Sequence, residues 1–230
     1  MTSDNSPQTN LETRATRVWD LPVRLFHWLL VASLIGSWIS AESGLEYIDW
    51  HMRLGYLALT LVSFRLLWGI WGSKPALFTS FLRSPRAMLE YSKTLCSRSS
   101  GNHPGHNPLG GAMALLLLVL VALQAGSGLF ANDDIFTEGP LYGLVSNATS
   151  DLLTKLHHFN FNLLLAASLL HIIAVLFYLL YKRQNLIRAM LTGNMQLTKL
   201  QAASAGPQAP LWRAVLFVLV CAGAVTWLVY

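Results

Sequence analysis

The chain contains five long apolar blocks separated by polar segments. They lie at about residues 22–41, 50–72, 108–131, 152–181 and 211–230. A helix of about 20 apolar residues crosses the ~30 Å hydrocarbon core of a bilayer. Inside that core a helix satisfies all of its own backbone hydrogen bonds, which an isolated strand or loop cannot do. The sequence therefore predicts an all-α, polytopic membrane protein with five transmembrane helices.

Composition supports the same class. Of the 230 residues, 53% are hydrophobic and 12% are charged, whereas a soluble domain has about 25% charged residues. The net charge of +5 fits membrane orientation better than a nucleic-acid partner, so no nucleic acid is expected. Cys96 and Cys221 lie far apart and form no Cys-x-x-Cys-His motif. Covalently attached haem and a disulfide framework are therefore not expected.

The charges alternate between loops. The tail up to Arg24, the 73–107 loop and the 182–213 segment hold 13 of the 16 Lys and Arg. The two other loops hold seven of the 11 Asp and Glu. The positive-inside rule then predicts a cytoplasmic N-terminus and outward-facing acidic loops. Because five spans follow, the C-terminus is predicted on the periplasmic side.

We divide the chain into four parts. Residues 1–20 are predicted to be a cytoplasmic tail, and residues 21–193 a membrane domain with the first four helices. A linker at 194–210 leads to the fifth helix, 211–230, which we interpret as an extra anchor. The first apolar block is longer than the core of a signal peptide and follows a long polar leader, so it is predicted to be retained as a membrane helix.

Some local features lie between the blocks. The middle of the 73–107 loop, SPRAMLEYSKTL, is predicted to form a short surface helix. His103 and His106 lie in a stretch rich in Gly and Pro and are predicted to be solvated. Ser150 is predicted to cap the start of the fourth helix.

The fourth block contains two histidines whose spacing places them on nearly the same face of a helix. His157 and His171 are 14 residues apart, which is about 40° short of four full helical turns and about 21 Å along the axis. One metal ion cannot reach both, since its bonds to nitrogen are about 2 Å long, but two large cofactors stacked across a membrane can. We interpret this helix as the shared wall of two haem sites. His158 is the alternative to His157, but it is rotated about 140° from His171.

Depth sorts the histidines into two pairs. His27 and His171 lie at one level toward the cytoplasmic side, whereas His51 and His157 lie at the outer ends of their helices. Pairs of histidines on facing helices are a common way for a bundle to hold haem b. A single buried histidine is more often a hydrogen-bonded core residue, but two depth-matched pairs favour ligation, His27 and His171 to an inner iron and His51 and His157 to an outer one.

Three further residues are candidates for cofactor contacts. Arg24 and Arg65 are placed to meet a haem propionate or a quinone at the inner level, with extension to the lipid headgroups as the alternative. No acidic residue lies in any apolar block at the level of Arg65. Gly55, one turn after His51, would leave room for a flat ring, with ordinary helix packing as the alternative.

Several stretches carry a family resemblance. RVWDLPVRLFHW, WHMRLGYLALTLVSFRLLWGIWG, GHNPLGG with LFANDD, and LHHFNFNLLLAASLLH resemble the bacterial cytochrome b561 family of the nickel–iron-hydrogenase cytochrome b type. The resemblance covers about residues 14–193. It implies a four-helix haem-binding bundle with two non-covalent, bis-histidine haems b. The family ligands match His27, His51, His157 and His171.

The resemblance implies electron transfer in the bacterial inner membrane, as an oxidoreductase component of a respiratory chain. Quinone or quinol would be the substrate and the surrounding lipid the solvent. The acidic loop at 132–151 offers a negative patch to a basic periplasmic cytochrome c, although outer loops tend to be acidic anyway. The alternatives are a membrane anchor subunit of a hydrogenase-like or other dehydrogenase complex, and a transporter that relays protons through histidines. No phosphate-binding loop or nucleophile constellation is evident, so hydrolysis and phosphoryl transfer are not expected.

Overall fold

The computed structural model describes residues 13–97 and 103–230. Five of the described helices are long and apolar enough to cross a membrane, which confirms the predicted all-α bundle with an extra C-terminal helix. In chain order the elements are β1 (Thr13–Arg17), α1 (Leu21–Glu42), α2 (Ile48–Trp71), α3 (Phe78–Phe81), α4 (Pro85–Lys93), α5 (Pro108–Gly128), α6 (Asn147–Leu180), α7 (Leu186–Thr192), β2 (Asn194–Thr198), α8 (Lys199–Ala205) and α9 (Leu211–Val229).

Four of the long helices form the bundle. α1 packs on α2, α2 on α5, and α5 on α6. The rings of Trp38 in α1 and Phe161 in α6, 5.9 Å apart, connect the first and last of these helices. Ala58, Val62, Val121 and Leu164 form a buried core where α2, α5 and α6 meet.

The fifth long helix, α9, lies against the outside of α2. Phe217 contacts the rings of Trp68 and Trp71 at 6.2 and 6.1 Å. Arg213 donates a hydrogen bond to the carbonyl of Trp71 at 2.9 Å. Trp68 is completely buried, so α9 is held by an aromatic contact at one end of α2.

Side-chain caps fix where two of the bundle helices begin. The Asp20 carboxylate accepts a hydrogen bond from the Val23 amide at 2.8 Å and caps α1. The Asn107 side chain does the same for α5 through the Gly110 amide, also at 2.8 Å. In both helices a proline occupies the first turn, where it costs no internal hydrogen bond.

The prediction that Ser150 caps the fourth helix is wrong. α6 begins earlier, at Asn147, and Ser146 is its cap. Ser150 is fully buried inside the helix and donates to the Phe130 carbonyl at 2.6 Å. The helix extends because its first turn is anchored by the preceding loop. With 34 residues, α6 is about 51 Å long, so it extends well beyond a ~30 Å hydrocarbon core.

The loop between α5 and α6 is organised by Asp133. Its Oδ1 accepts hydrogen bonds from the amides of Ile135, Phe136 and Thr137 at 3.0, 2.8 and 2.8 Å. These bonds hold the pKa of the Asp133 carboxyl far below its usual range. The following residue, Asp134, is left-handed, with φ 60°. The turn leaves the side chains of Ile135 and Phe136 exposed.

At the other end of the bundle, β1 and β2 form an antiparallel ribbon, with Thr13 opposite Thr198 and Arg17 opposite Asn194. The ribbon takes up the end of the predicted N-terminal tail, and residues 1–12 of that tail lie outside the described residues. The predicted linker at 194–210 contains both β2 and α8. It is ordered because Leu197 is completely buried and Thr198 caps α8 in a reciprocal capping box.

Three stretches meet at this end, which we call the basic face: residues 13–20, residues 73–97 with 103–107, and residues 182–210. The Ala209 amide donates to Ser73 Oγ at 2.9 Å. Lys182 donates to the Ser97 carbonyl at 2.8 Å. The short surface helix predicted in the 73–107 loop is confirmed as α4.

Candidate functional site

The structure brings His51 of α2 and His157 of α6 together. Their ring centroids are 6.1 Å apart, with the rings inclined at 75°. His51 Nδ1 lies 2.9 Å from the Ser37 carbonyl oxygen, and His157 Nδ1 lies 2.9 Å from the Gln124 carbonyl oxygen. A carbonyl can only accept, so each Nδ1 is assigned as the donor. The Nε2 of each neutral ring then keeps a lone pair for a metal.

This outer pair fits two imidazoles on one metal ion. Two metal–nitrogen bonds of about 2 Å each, plus roughly 1 Å from each nitrogen to its ring centre, place the centroids about 6 Å apart. The observed distance is 6.1 Å. Ring nitrogens fixed by backbone carbonyls are also the usual support of metal-bound histidines.

Two glycines give this pair room. A Cβ on Gly128 would lie 3.0 Å from His157 Cε1, so a side chain there would push the imidazole aside. Around Gly55, one turn after His51, no described atom lies within 4 Å of where a Cβ would be. The space at Gly55 on α2 is therefore open.

The predicted inner pair is His27 of α1 and His171 of α6. The two imidazoles are near enough to interact electrostatically, although no ring contact joins them within residues 13–97 and 103–230. His27 packs against the Trp28 ring at 4.8 Å. Its Nδ1 is buried without a hydrogen-bond partner among the described residues.

Arg65 is buried near the end of α2, against α3. Its side chain is 4% exposed and donates to the Ala76 carbonyl at 3.0 Å. The guanidinium lies over the Phe78 and Phe81 rings at 5.1 and 5.8 Å. It is therefore directed into protein and not toward the lipid headgroups.

The sequence pattern did not reveal Asp20 as an acid near Arg65, because this residue lies just before the first apolar block. Asp20 is 5% exposed and interacts electrostatically with Arg65. Its Oδ2 accepts a hydrogen bond from Trp68 Nε1 at 2.9 Å. A buried carboxylate thus already offsets part of the Arg65 charge.

The prediction that His106 is solvated is wrong. Its ring lies 4.8 Å from the Trp19 ring and 4.7 Å from the Phe81 ring, and its Nδ1 is buried without a described partner. The pKa of His106 is lowered to about 3, first by burial and then by the charges of Arg65 and His171. The left-handed Gly105, with φ +100°, turns the chain so that His106 lies under the bundle.

The remaining candidates occupy separate positions. Arg24 donates to the Thr192 carbonyl at 3.2 Å, and its Nε is buried without a described partner. His158 is exposed on α6, with its ring 6.1 Å from that of His157. His103 is exposed, as predicted. Across residues 13–97 and 103–230, no three His, Cys, Asp or Glu side chains cluster tightly enough to hold one metal ion.

A family model for prokaryotic cytochrome b561 matches residues 18–193. The chain belongs to this family. The resemblance deduced from the sequence is thereby confirmed, and the chain is a multi-pass membrane cytochrome of the b type that functions in electron transfer. Membership in the cytochrome b561 family implies haem b as the cofactor. The match ends before β2, so α8 and α9 are additions to the family domain. No match was found among curated proteins or among solved structures.

Proposed function

We propose that this cytochrome b561 holds two haems b and transfers electrons between the quinone pool of the bacterial inner membrane and a redox partner. The observation that carries the proposal is the outer pair. The rings of His51 and His157 lie 6.1 Å apart, a separation at which both could bind one haem iron, and each is oriented through Nδ1 by a backbone carbonyl.

In this proposal residues 21–193 are the di-haem domain. His51 and His157 are ligands of the outer haem iron, and His27 and His171 are ligands of the inner one. A haem b bound at each pair supplies reversible one-electron transfer. Because His157 and His171 are about 21 Å apart along α6, the two sites together cover most of a ~30 Å hydrocarbon core.

Nearby residues tune the two sites. The carbonyls of Ser37 and Gln124 hold the outer imidazoles in one tautomer and raise their basicity as ligands. Gly55 leaves space for a flat ring beside the outer pair. At the inner level Arg24 and Arg65 supply positive charge, which favours an anionic propionate, a reduced centre or a quinone species.

The decisive experiment is a haem count on the purified chain. We expect two low-spin, bis-histidine haems b per chain, measured by pyridine haemochrome absorbance against protein concentration. Acid acetone should extract both, because the chain has no covalent attachment motif. A single haem per chain, or a high-spin five-coordinate spectrum, would contradict the proposal.

The outer loop favours a second candidate, a membrane anchor subunit of a hydrogenase-like or other dehydrogenase complex. Ile135, Phe136 and Leu144 are 72, 83 and 76% exposed there, and contiguous exposed apolar side chains mark a protein or membrane contact. A large subunit that copurifies in stoichiometric amount would support this candidate. Reduction by a soluble basic cytochrome c that weakens steeply with salt would instead support steering by the acidic loop.

A further inference from the structure

The basic face contains a cavity of about 430 Å³ that the histidine pairs do not use. Its walls come from the turn after α2, from α3, from the segment before α5, and from α8. The lining residues with polar groups include Lys74, Ser80, Arg83, His103, His106 and Ser204. The turn after α2 and α3 are continuous, so the cavity joins three separate parts of the chain.

The lining is positively charged. Lys74 and Arg83 supply two cations, and no described lining residue is an Asp or Glu. Arg83 uses one N–H group on the Ser80 carbonyl, at 3.1 Å, so its other donors are available. The pKa of His103 is lowered by partial burial of its ring and by Arg83, which favours a neutral imidazole that can donate or accept. Such a set is suited to an anion with several acceptor oxygens.

The position of the cavity indicates where the anion comes from. Lys74 lies just beyond the end of α2 at Trp71, and His106 lies just before the start of α5 at Pro108. Both helices are candidate membrane spans, so the cavity lies at the level of lipid headgroups. Basic pockets at that level on the cytoplasmic side bind anionic headgroups.

We propose that this cavity binds the phosphate of an anionic phospholipid headgroup from the adjacent leaflet, with Lys74 and Arg83 as its two cationic contacts. The bound headgroup fixes the segment that contains His106, which packs on Trp19 and Phe81 beneath the bundle. This role is independent of how many haems the chain holds.

The test compares two double variants of the full, purified chain in neutral detergent. Lys74→Gln/Arg83→Gln removes both cations from the cavity. Arg86→Gln/Lys93→Gln removes two cations from α4, outside the cavity, where Arg86 forms an exposed ion pair with Glu90 at 3.1 Å. Native mass spectrometry and thermal unfolding are followed with added phosphatidylglycerol, with zwitterionic phosphatidylcholine, and with inorganic phosphate.

For wild type and the α4 variant we expect one retained phosphatidylglycerol per chain and a higher unfolding temperature than with phosphatidylcholine. The cavity variant should need at least tenfold more phosphatidylglycerol for the same effect, with an unchanged haem spectrum. Equal weakening in both variants would assign binding to general surface charge and overturn the proposal. Stabilisation by inorganic phosphate alone would assign the cavity to a soluble anion and overturn the proposal. Loss of haem absorbance from the cavity variant would assign the cavity to the cofactor and would also overturn it.

Discussion

A hydrogen bond distinguishes His157 from its neighbour His158. His157 donates to the Gln124 carbonyl at 2.9 Å and faces His51, whereas His158 is exposed on the outside of α6. The helical phase relative to His171 predicts the same choice. We therefore treat His157 as a ligand and His158 as a surface residue.

His157→Ala should lose one of the two haems and keep the other, because its partner His51 cannot hold the outer haem alone. His158→Ala is the matched control and should keep both. Haem per protein, measured by pyridine haemochrome after purification, reports this directly. Loss of a haem from His158→Ala with none lost from His157→Ala would refute the assignment.

Arg65 and Asp20 should move the inner haem potential in opposite directions. Removing the positive charge in Arg65→Leu disfavours the reduced form and lowers the midpoint potential. Asp20→Asn removes a negative charge, retains an oxygen that can cap α1, and should raise it. We expect shifts on the order of 50 mV, since about 59 mV corresponds to a tenfold change in a one-electron equilibrium.

Redox titration of wild type and both variants measures these shifts. Arg53→Leu serves as the control, because Arg53 lies two residues after His51, over the Trp50 ring at 5.6 Å. It should leave the inner potential unchanged. Shifts of the same sign in Arg65→Leu and Asp20→Asn would rule out an electrostatic origin.

The sequence predicted residues whose position depends on helix geometry and missed those whose position depends on loops. Helical phase favoured His157 over His158, and depth in the membrane paired His157 with His51. The burial of His106 and Asp20 was missed because it depends on how the Gly105 turn and the start of α1 pack under the bundle. Their clearest sequence signal is that each lies next to a helix start, beside Asn107-Pro108 and Leu21-Pro22.

At the scale of elements, long apolar length was a sufficient predictor and short polar elements were not. Each of the five long helices has a block of about 20 apolar residues, a pattern that needs no tertiary information. The ribbon of β1 and β2 was missed because TRATR shows no apolar alternation. The alternation in NMQLT spans only five residues, and the two segments pair across most of the chain. The start of α6 was missed because the preceding loop anchors its first turns.

The loop between α5 and α6 should depend on one carboxylate. Asp133→Ala removes the acceptor of the Ile135, Phe136 and Thr137 amides, so hydrogen exchange at these amides should become at least tenfold faster. Asp134→Asn is the control, because Asn tolerates the left-handed backbone found there. An unchanged rate in Asp133→Ala would show that the rest of the loop holds this turn.

The same turn has a predicted pH dependence. Because the hydrogen bonds depress the pKa of Asp133, the carboxylate stabilises the loop at any pH above its ordinary pKa of 3.8. That stabilisation is lost only as pH falls through the lower, folded-state pKa. The amides of 135–137 should therefore stay protected at pH 4, relative to the intrinsic exchange rate at that pH.

At the scale of the whole molecule, connectivity and charge agree. The three stretches of the basic face meet at one end of the bundle, as an alternation of membrane spans requires. They belong to the segments that are rich in Lys and Arg. The acidic loops lie at the opposite end. From the positive-inside rule we propose that the basic face is cytoplasmic. The cavity of this face would then lie at the inner leaflet.

Reporter fusions test this orientation. Alkaline phosphatase is active only outside the cytoplasm, and green fluorescent protein exported by the same route fluoresces only inside it. A fusion after Pro207, before α9, should be fluorescent and phosphatase-negative, whereas a fusion after Tyr230 should be the reverse. The matched pair isolates α9, because the two fusion points differ by this one span. Fluorescence at both points would show that α9 lies along the membrane surface instead of crossing it, and phosphatase activity after Pro207 would invert the whole bundle.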